Sequence, residues 1–337
     1  MIDARLQLAL DGEGLVLPEE GQIAVFNPPV DADLGALPAE RCQIIHDFKP
    51  SYDTWSAKGF DVARATRDRY AAAIVCLPRA KAEARALVAE ACAVSDGVVV
   101  IDGQKTDGID SLFREMRGRV TVQGPIAKAH GKLFWVDAWA ADCFADWQAG
   151  PAQTEGGFWT APGVFSADGV DLASAMLVDA LPDKLGHEVA DLGAGWGFLS
   201  AHVLTREDVQ TLHVVEASHI AVECARHNVT DPRAKFHWDD ATTWEPPHRM
   251  DTVVMNPPFH NGRAAEPQIG QAFVAAAARV LSGNGKLWMV SNRHLPYEAE
   301  LNKQFAQVEE IGGDSRFKLL RAERPVRARL RGTASKG

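Results

Sequence analysis

From Glu188 onward the chain alternates short β-rich apolar runs with helical patterns: "EVADLG", "FLSAHVLT", "TLHVVE", "IAVECARHNV", "AKFHWD", "DTVVMN", "IGQAFVAAAARVL", "GKLWMVS", "AELNKQFA" and "SRFKLLRA". Strands that alternate with helices of about ten residues build a largely parallel sheet covered on both faces. The pattern predicts a doubly wound α/β domain. The upstream half repeats part of it. "YAAAIVCLPRAKAEARALVAEACAVSDGVVVIDGQ" runs strand, Leu-Pro, helix, turn, strand. "DTVVMNPPFHNG" leading into "GQAFVAAAARVLSGNGKLWMVSNR" runs strand, Asn-Pro-Pro, helix, turn, strand. A helix ("SLFREMRG", "AELNKQFA") and a late strand ("KLFWVDA", "RFKLLRA") then follow in each half. The expected organisation is two tandem α/β domains of one architecture, residues 1–150 and 151–337, divided at the polar Gly- and Pro-containing stretch "QAGPAQTEGG" (Gln148 to Gly157).

Length suits two ordinary domains, and 46% apolar with 24% charged residues is a globular composition. No apolar run approaches the roughly 20 residues of a membrane span. The opening "MIDARLQLALDGEG" lacks the basic region of a secretory signal. Five scattered cysteines form no Cys-x-x-Cys pair, which suits reduced thiols in a cytoplasmic protein and no zinc site. His187, His202, His213 and His219 show no ligand spacing either, so no metal is expected. The net charge of −10 disfavours a nucleic-acid partner, yet from Arg316 the chain carries eight Lys and Arg against one acid. Such a basic end on an acidic body can grip RNA locally or can be only a solvated terminus.

The segment "EVADLGAGWGFLSAHVL" reads as a strand, a turn rich in glycine (Gly193, Gly195, Gly197) and the start of a helix. Glycines let a backbone turn sharply and approach a ligand closely. Glu216 ends the next apolar strand, where an acid can accept from both ribose hydroxyls of a nucleoside cofactor. Asp191 sits at the strand end ahead of the first glycine, suited to face the positive end of a bound cofactor. "WDDAT" puts Asp239 and Asp240 after a third strand, where one acid can hold an adenine amino group. Ala194, Ala217 and Ala241 flank these groups and complete the expected cofactor-binding set. "NPPF" then ends a fourth strand at Asn256.

This order of motifs resembles the S-adenosylmethionine-dependent methyltransferases that modify exocyclic or amide nitrogens. An aromatic amino nitrogen shares its lone pair with the ring and is a poor nucleophile. The Asn256 side-chain oxygen and the Pro257 carbonyl can accept its two hydrogens and favour a more tetrahedral nitrogen. Phe259 can stack on a base taken out of its helix. The expected catalytic residues are Asn256, Pro257 and Phe259, with Asn256 also beside the cofactor. A second Asn-Pro-Pro, at Asn27 in "AVFNPPV", is read as a strand end whose prolines stop the ladder. In the repeat, the place of Asn256 falls near Leu77-Pro78.

More closely, "LPRAKAEARAL", "PGVFSADGVD", "DLGAGWG", "NPPFHNG", "NRHLPYE" and "GDSRFKLLRA" resemble the bacterial ribosomal RNA guanine-N2 methyltransferases of the small subunit. The resemblance implies two methyltransferase-like domains, the N-terminal one degenerate and serving rRNA recognition or support. It implies S-adenosylmethionine as cofactor, 16S rRNA in the small ribosomal subunit as partner, and a monomer. It also puts Phe165 and Ser166 of "PGVFS" beside the cofactor. Ala194 departs from the usual Cys or Ser, and "LASAML" from the usual Gly-Ser or Gly-Thr. Rival readings are the large-subunit guanine, a protein glutamine amide, or a non-catalytic RNA-binding protein with a decayed pocket. His260 is taken as a loop residue, and Trp135, Trp139 and Trp147 as packing at the domain interface.

Overall fold

Strands that are aliphatic on both sides can be satisfied only inside a layered sheet, and the chain has two such sheets. A computed structural model describes residues 2–12, 14–258 and 267–326. The chain divides into two units, Met1–Asp168 with Ala217–Cys224, and Gly169–Glu216 with Ala225–Gly337.

The first unit contains α1 (Ile2–Leu10), β1 (Ile23–Phe26), β2 (Cys42–Ile45), α2 (Lys49–Ala57), β3 (Asp61–Ala63), β4 (Ala72–Cys76) and α3 (Lys81–Val94). It continues through β5 (Val98–Gln104), α4 (Ile109–Arg117), β6 (Gln123–Lys128) and β7 (Gly131–Asp137), then a small ribbon of β8 (Ala152–Gln153) and β9 (Trp159–Thr160). Downstream follow α5 (Leu172–Ala180), β10 (Glu188–Leu192), α6 (Phe198–Val203), β11 (Thr211–Glu216), α7 (His219–Asn228), β12 (Ala234–Trp238) and β13 (Met250–Met255). The chain closes with α8 (Pro267–Val280), β14 (Leu281–Asn292), α9 (Glu298–Gln304), β15 (Phe305–Gly313) and β16 (Phe317–Pro325).

Each large sheet has seven strands, ordered β3-β2-β1-β4-β5-β7-β6 and β12-β11-β10-β13-β14-β16-β15. The two orders are the same when matched strand for strand. In each, the first five strands are parallel to one another and the last two pairings are antiparallel. Burial follows the two-residue pleat. Ala24 and Phe26 pack on one face with Val88 and Leu112 from α3 and α4, while Ile23 and Val25 pack on the other with Leu6 of α1. In the second sheet Leu192 and Val253 meet Phe273 and Val274 of α8, and Val189 and Val254 meet Leu177 of α5 and Val203 of α6.

The tandem architecture read from the sequence is therefore present, and the strand orders make the duplication exact enough to compare positions. β4 stands where β13 stands, so Leu77 follows its strand as Asn256 follows β13. β1 stands where β10 stands, so Asn27 occupies the place of Gly193 rather than that of Asn256. Both backbones are left-handed there, with φ of 52° and 74°. Both N–H groups donate to the neighbouring strand, Asn27 to the Ile45 carbonyl and Gly193 to that of Val215, each at 2.9 Å. Asn27 is a strand end, as expected, and its residue type matters because Asn tolerates this conformation.

Sequence patterning missed some elements. β15 (FAQVEEIGG) is largely polar and, among the described residues, pairs with β16 alone, so it lacks the apolar signature of the buried strands. The three tryptophans also differ from expectation. Trp135 and Trp147 are buried in the first unit's own core, on β7 and in the following 3-10 segment, whereas Trp139 is 77% exposed. Among the described residues no helix is long and apolar enough to cross a membrane.

The left-handed turn at Asn27 predicts a specific stability pattern. Asn27→Ala should lower unfolding free energy by about 1 kcal/mol and Asn27→Gly should leave it nearly unchanged. Urea unfolding of the two variants checks this.

Candidate active site at the switch point of the second sheet

In the second sheet β10 lies between β11 and β13; the chain leaves β10 for β11 through α6 on one face and leaves β13 for β14 through α8 on the other. Strand ends splay apart at such a reversal and leave a crevice at the carboxyl edge. The register pairs Asp191 with Val254, so the chain leaving β10 at Gly193 and the chain leaving β13 at Asn256 emerge side by side. Pro258 confirms their closeness: its Cδ lies 4.0 Å from where a Gly193 Cβ would sit.

All three glycines of the first loop have positive φ, 74° at Gly193, 56° at Gly195 and 90° at Gly197. Their surroundings differ. A Cβ on Gly193 would meet the Phe273 ring at 3.0 Å, and one on Gly197 would meet Val229 and Ala225 at 3.0 and 3.2 Å. A Cβ on Gly195 would meet nothing within 4 Å among the described residues. Two glycines are thus needed for packing, and Gly195 faces open space. The Gly193 and Ala194 N–H groups both donate to the Val215 carbonyl, at 2.9 and 3.1 Å. The Gly195 N–H donates to Glu216 Oε2 at 2.8 Å, so the acid at the end of β11 holds the middle of the loop. Ala217, the next residue, is half-buried, as is Ala194.

Asp191 is fully buried. Its Oδ2 accepts from the Ser200 hydroxyl at 2.6 Å, and its Oδ1 has no hydrogen-bond partner among the described residues. Burial is the main reason its carboxyl is pushed up to about 7; the Ser200 hydroxyl opposes this and the Glu216 charge adds to it. A buried carboxylate oxygen without a donor is a strong local demand for a cationic or N–H-bearing group. Asp240, after β12, accepts from the Thr242 N–H and hydroxyl through Oδ1, at 2.8 and 2.7 Å. Its own N–H donates to Asp239 Oδ1 at 2.8 Å, and Ala241 is buried beneath the turn.

At the end of β13 the Asn256 side chain is held through its nitrogen. Nδ2 donates to Asp171 Oδ2 at 3.0 Å and to Ser174 Oγ at 2.9 Å. Asp171 is the N-cap of α5, and its Oδ2 also accepts from the Ser174 N–H at 2.8 Å. A carboxylate only accepts, so the amide must turn its NH2 toward Asp171 and keep Oδ1 as its acceptor. Pro257 is buried and Pro258 exposed. Asp171 and Ser174 were not singled out in the sequence beyond the "PGVFSADGVD" and "LASAML" segments. The Asp-x-x-Ser spacing signals a helix start, but nothing local reveals contact with a residue 85 positions away.

Asp191, Gly193, Ala194, Gly195, Glu216, Asp240, Ala241, Asn256 and Pro257 all lie on the carboxyl-end loops and strand ends of this sheet. Phe165 belongs to the first unit and is 53% exposed, and Ser166 beside it has φ 54°. Phe259, His260 and the basic end from residue 327 lie outside the described residues. Among the described residues no cluster of His, Cys, Asp and Glu could hold a metal ion.

Residues 155–321 match the methyltransferase small domain family. A large-subunit ribosomal RNA methyltransferase G from Aeromonas salmonicida is 34% identical over 165 residues, covering 47% of this chain and 44% of that protein. A ribosomal RNA small subunit methyltransferase C from Alteromonas mediterranea is 24% identical over 348 residues, covering 91% and 96%. The chain spans about half the length of the large-subunit relatives it matches, 44% and 59% for those from Aeromonas salmonicida and Shewanella pealeana. Among solved structures, a T. thermophilus 16S rRNA N2 methyltransferase in complex with AdoMet and guanosine superposes with a TM-score of 0.75 at 25% identity, over 93% of this chain and 90% of that one. The fold is that of two tandem class I methyltransferase domains.

Asp191 sets a pH dependence. An acid whose pKa is raised on folding binds its proton more tightly in the folded chain, so stability falls as pH rises from the ordinary 3.8 to about 7. Asp191→Asn should flatten that fall in the ligand-free protein. Thermal unfolding between pH 5 and 8 measures it, with the variant gaining on the wild type as pH increases.

Proposed function

We propose that this chain, whose residues 155–321 match the methyltransferase small domain family, transfers a methyl group from S-adenosylmethionine to the exocyclic N2 of a guanine in ribosomal RNA, and that 16S rRNA is its substrate. The observation that carries the reading is Asn256, whose nitrogen is committed to Asp171 and Ser174 and whose oxygen is left as acceptor at the switch-point crevice. An amino nitrogen gains nucleophilic character when its hydrogens are drawn toward acceptors. Asn256 Oδ1 and the Pro257 carbonyl are the acceptors suited to do this, and the prolines limit their freedom.

The cofactor fits the residues present. Asp191 Oδ1, buried and without a donor, suits its cationic portion; Gly195 leaves the space; Glu216 and Asp240 suit the ribose and the adenine amino group. When bound, S-adenosylmethionine supplies a methyl already made electrophilic by the sulfonium. The protein is then required to bind, align and accept hydrogen bonds, so no strongly basic side chain is needed. The small-subunit substrate is favoured by coverage, since the relatives of that class correspond to this chain nearly end to end. The large-subunit guanine is the second reading, supported by the 34% identity of the shorter match. The first unit, with Leu77 where a catalytic Asn would stand, serves RNA recognition or support. The protein would act as a monomer in the cytoplasm, where ribosomes are made.

Labelled methyl transfer to under-methylated 30S subunits, with 50S subunits and release factors in parallel, tests the proposal. Label at a guanine N2 of 16S rRNA is expected; label only on 50S or on a release factor would move the substrate. Asn256→Ala should cost about 100-fold or more in kcat with cofactor affinity kept within a few-fold, whereas Asn27→Ala should transfer at the wild-type rate.

A further inference from the structure

We infer that Asp171, assisted by Ser174, is a positioning residue for methyl transfer: it selects the one orientation of the Asn256 amide that presents an acceptor to the substrate amino group. The inference rests on the catalytic reading of Asn256 given above. The two ends of an amide side chain are nearly isosteric, and its terminal torsion is broad. A flipped Asn256 would offer NH2 to a substrate NH2, donor against donor, and would lose the interaction that raises nucleophilicity. The strand end alone does not exclude that flip. Asp171 does, because a carboxylate cannot donate and would face Oδ1 in the flipped form. The Oδ2 atom at 3.0 Å and the Ser174 hydroxyl at 2.9 Å take both amide hydrogens.

The clamp is mechanically stiff for a reason that lies in α5. Ala173 and Leu177 bury this helix in the same core as Val254 of β13 and Trp288 of β14. Asp171 caps the helix through the same Oδ2 that holds Asn256, and the Ser174 that donates its N–H to the cap also turns its hydroxyl to the amide. The helix start and the amide orientation are thus set by one hydrogen-bond cluster. A residue acting only as an N-cap would need no reach across to the neighbouring strand, and Ser would replace it without loss of function.

That difference makes the test. Single-turnover transfer of labelled methyl to under-methylated 30S or 50S subunits, whichever the wild type methylates, is measured at saturating cofactor alongside cofactor Kd and thermal unfolding. Asp171→Ala should slow transfer about 10- to 100-fold with Kd changed less than about twofold, and in the Asn256→Ala background it should add less than about twofold. Asp171→Asn, which keeps an acceptor oxygen for both donors, should restore the rate to within a few-fold of wild type. Asp171→Ser preserves the cap and guards against mere unfolding; it should melt like the wild type and still transfer slowly. Wild-type turnover in Asp171→Ser, or a full multiplicative loss when Asp171→Ala is combined with Asn256→Ala, would overturn the positioning role. If Asn256→Ala itself turned over normally, the catalytic reading would fall and take this inference with it. An inactive Asn256→Ala beside normal Asp171 variants would remove the positioning role alone.

Discussion

The reversal of strand order between β10 and β13 is the constraint on which the rest of the site depends. A parallel strand whose two neighbours are reached by connections on opposite faces must leave an opening at its carboxyl end. Three strands of the second unit that end at that opening bring candidate site residues to it. β10 brings Asp191 and the glycine loop, β11 brings Glu216, and β13 brings Asn256. The parallel register, and not the loops, sets their spacing, because backbone hydrogen bonds pair Asp191 with Val254 and with Val214.

Two polar side chains in this opening show opposite ways of being useful. Asn256 is neutral, and its hydrogen bonds are arranged so that a single remaining acceptor has a defined direction. Asp191 is ionisable, fully buried and, among the described residues, hydrogen-bonded at one oxygen only, so it carries an unfavourable interaction. The first costs little stability because every donor is paired. The second is costly, because a buried carboxylate oxygen has no donor among the described residues.

Much of this was legible in the residues. Alternating strand and helix patterns identified the layers and the duplication, because each parallel strand is apolar on both faces and stands out from its surroundings. The placement of the glycine loop, Glu216 and the Asn-Pro-Pro end was legible because each follows or closes an apolar strand run. β15 was not, since an edge strand can be polar. The link from Asp171 to Asn256 was not, since it joins residues far apart in the chain and each has an ordinary local explanation, a cap and a strand end. Trp139 misled for a related reason: its spacing from Trp135 and Trp147 suggests a common face, but the chain leaves β7 between Trp135 and Trp139, and the face is not continued.

Asn27 and Gly193 share a left-handed backbone in equivalent places, and the second lies beside the chain that leaves β13 at Asn256. The turn out of a central parallel strand therefore demands that conformation by itself, whether or not a ligand follows. Most glycines of such a loop are records of folding. The informative one is Gly195, whose missing side chain leaves space that no atom of the described residues fills. A copy of this domain that had lost its chemistry would keep its first turn and be free to fill that space, so the two kinds of glycine would decay at different rates.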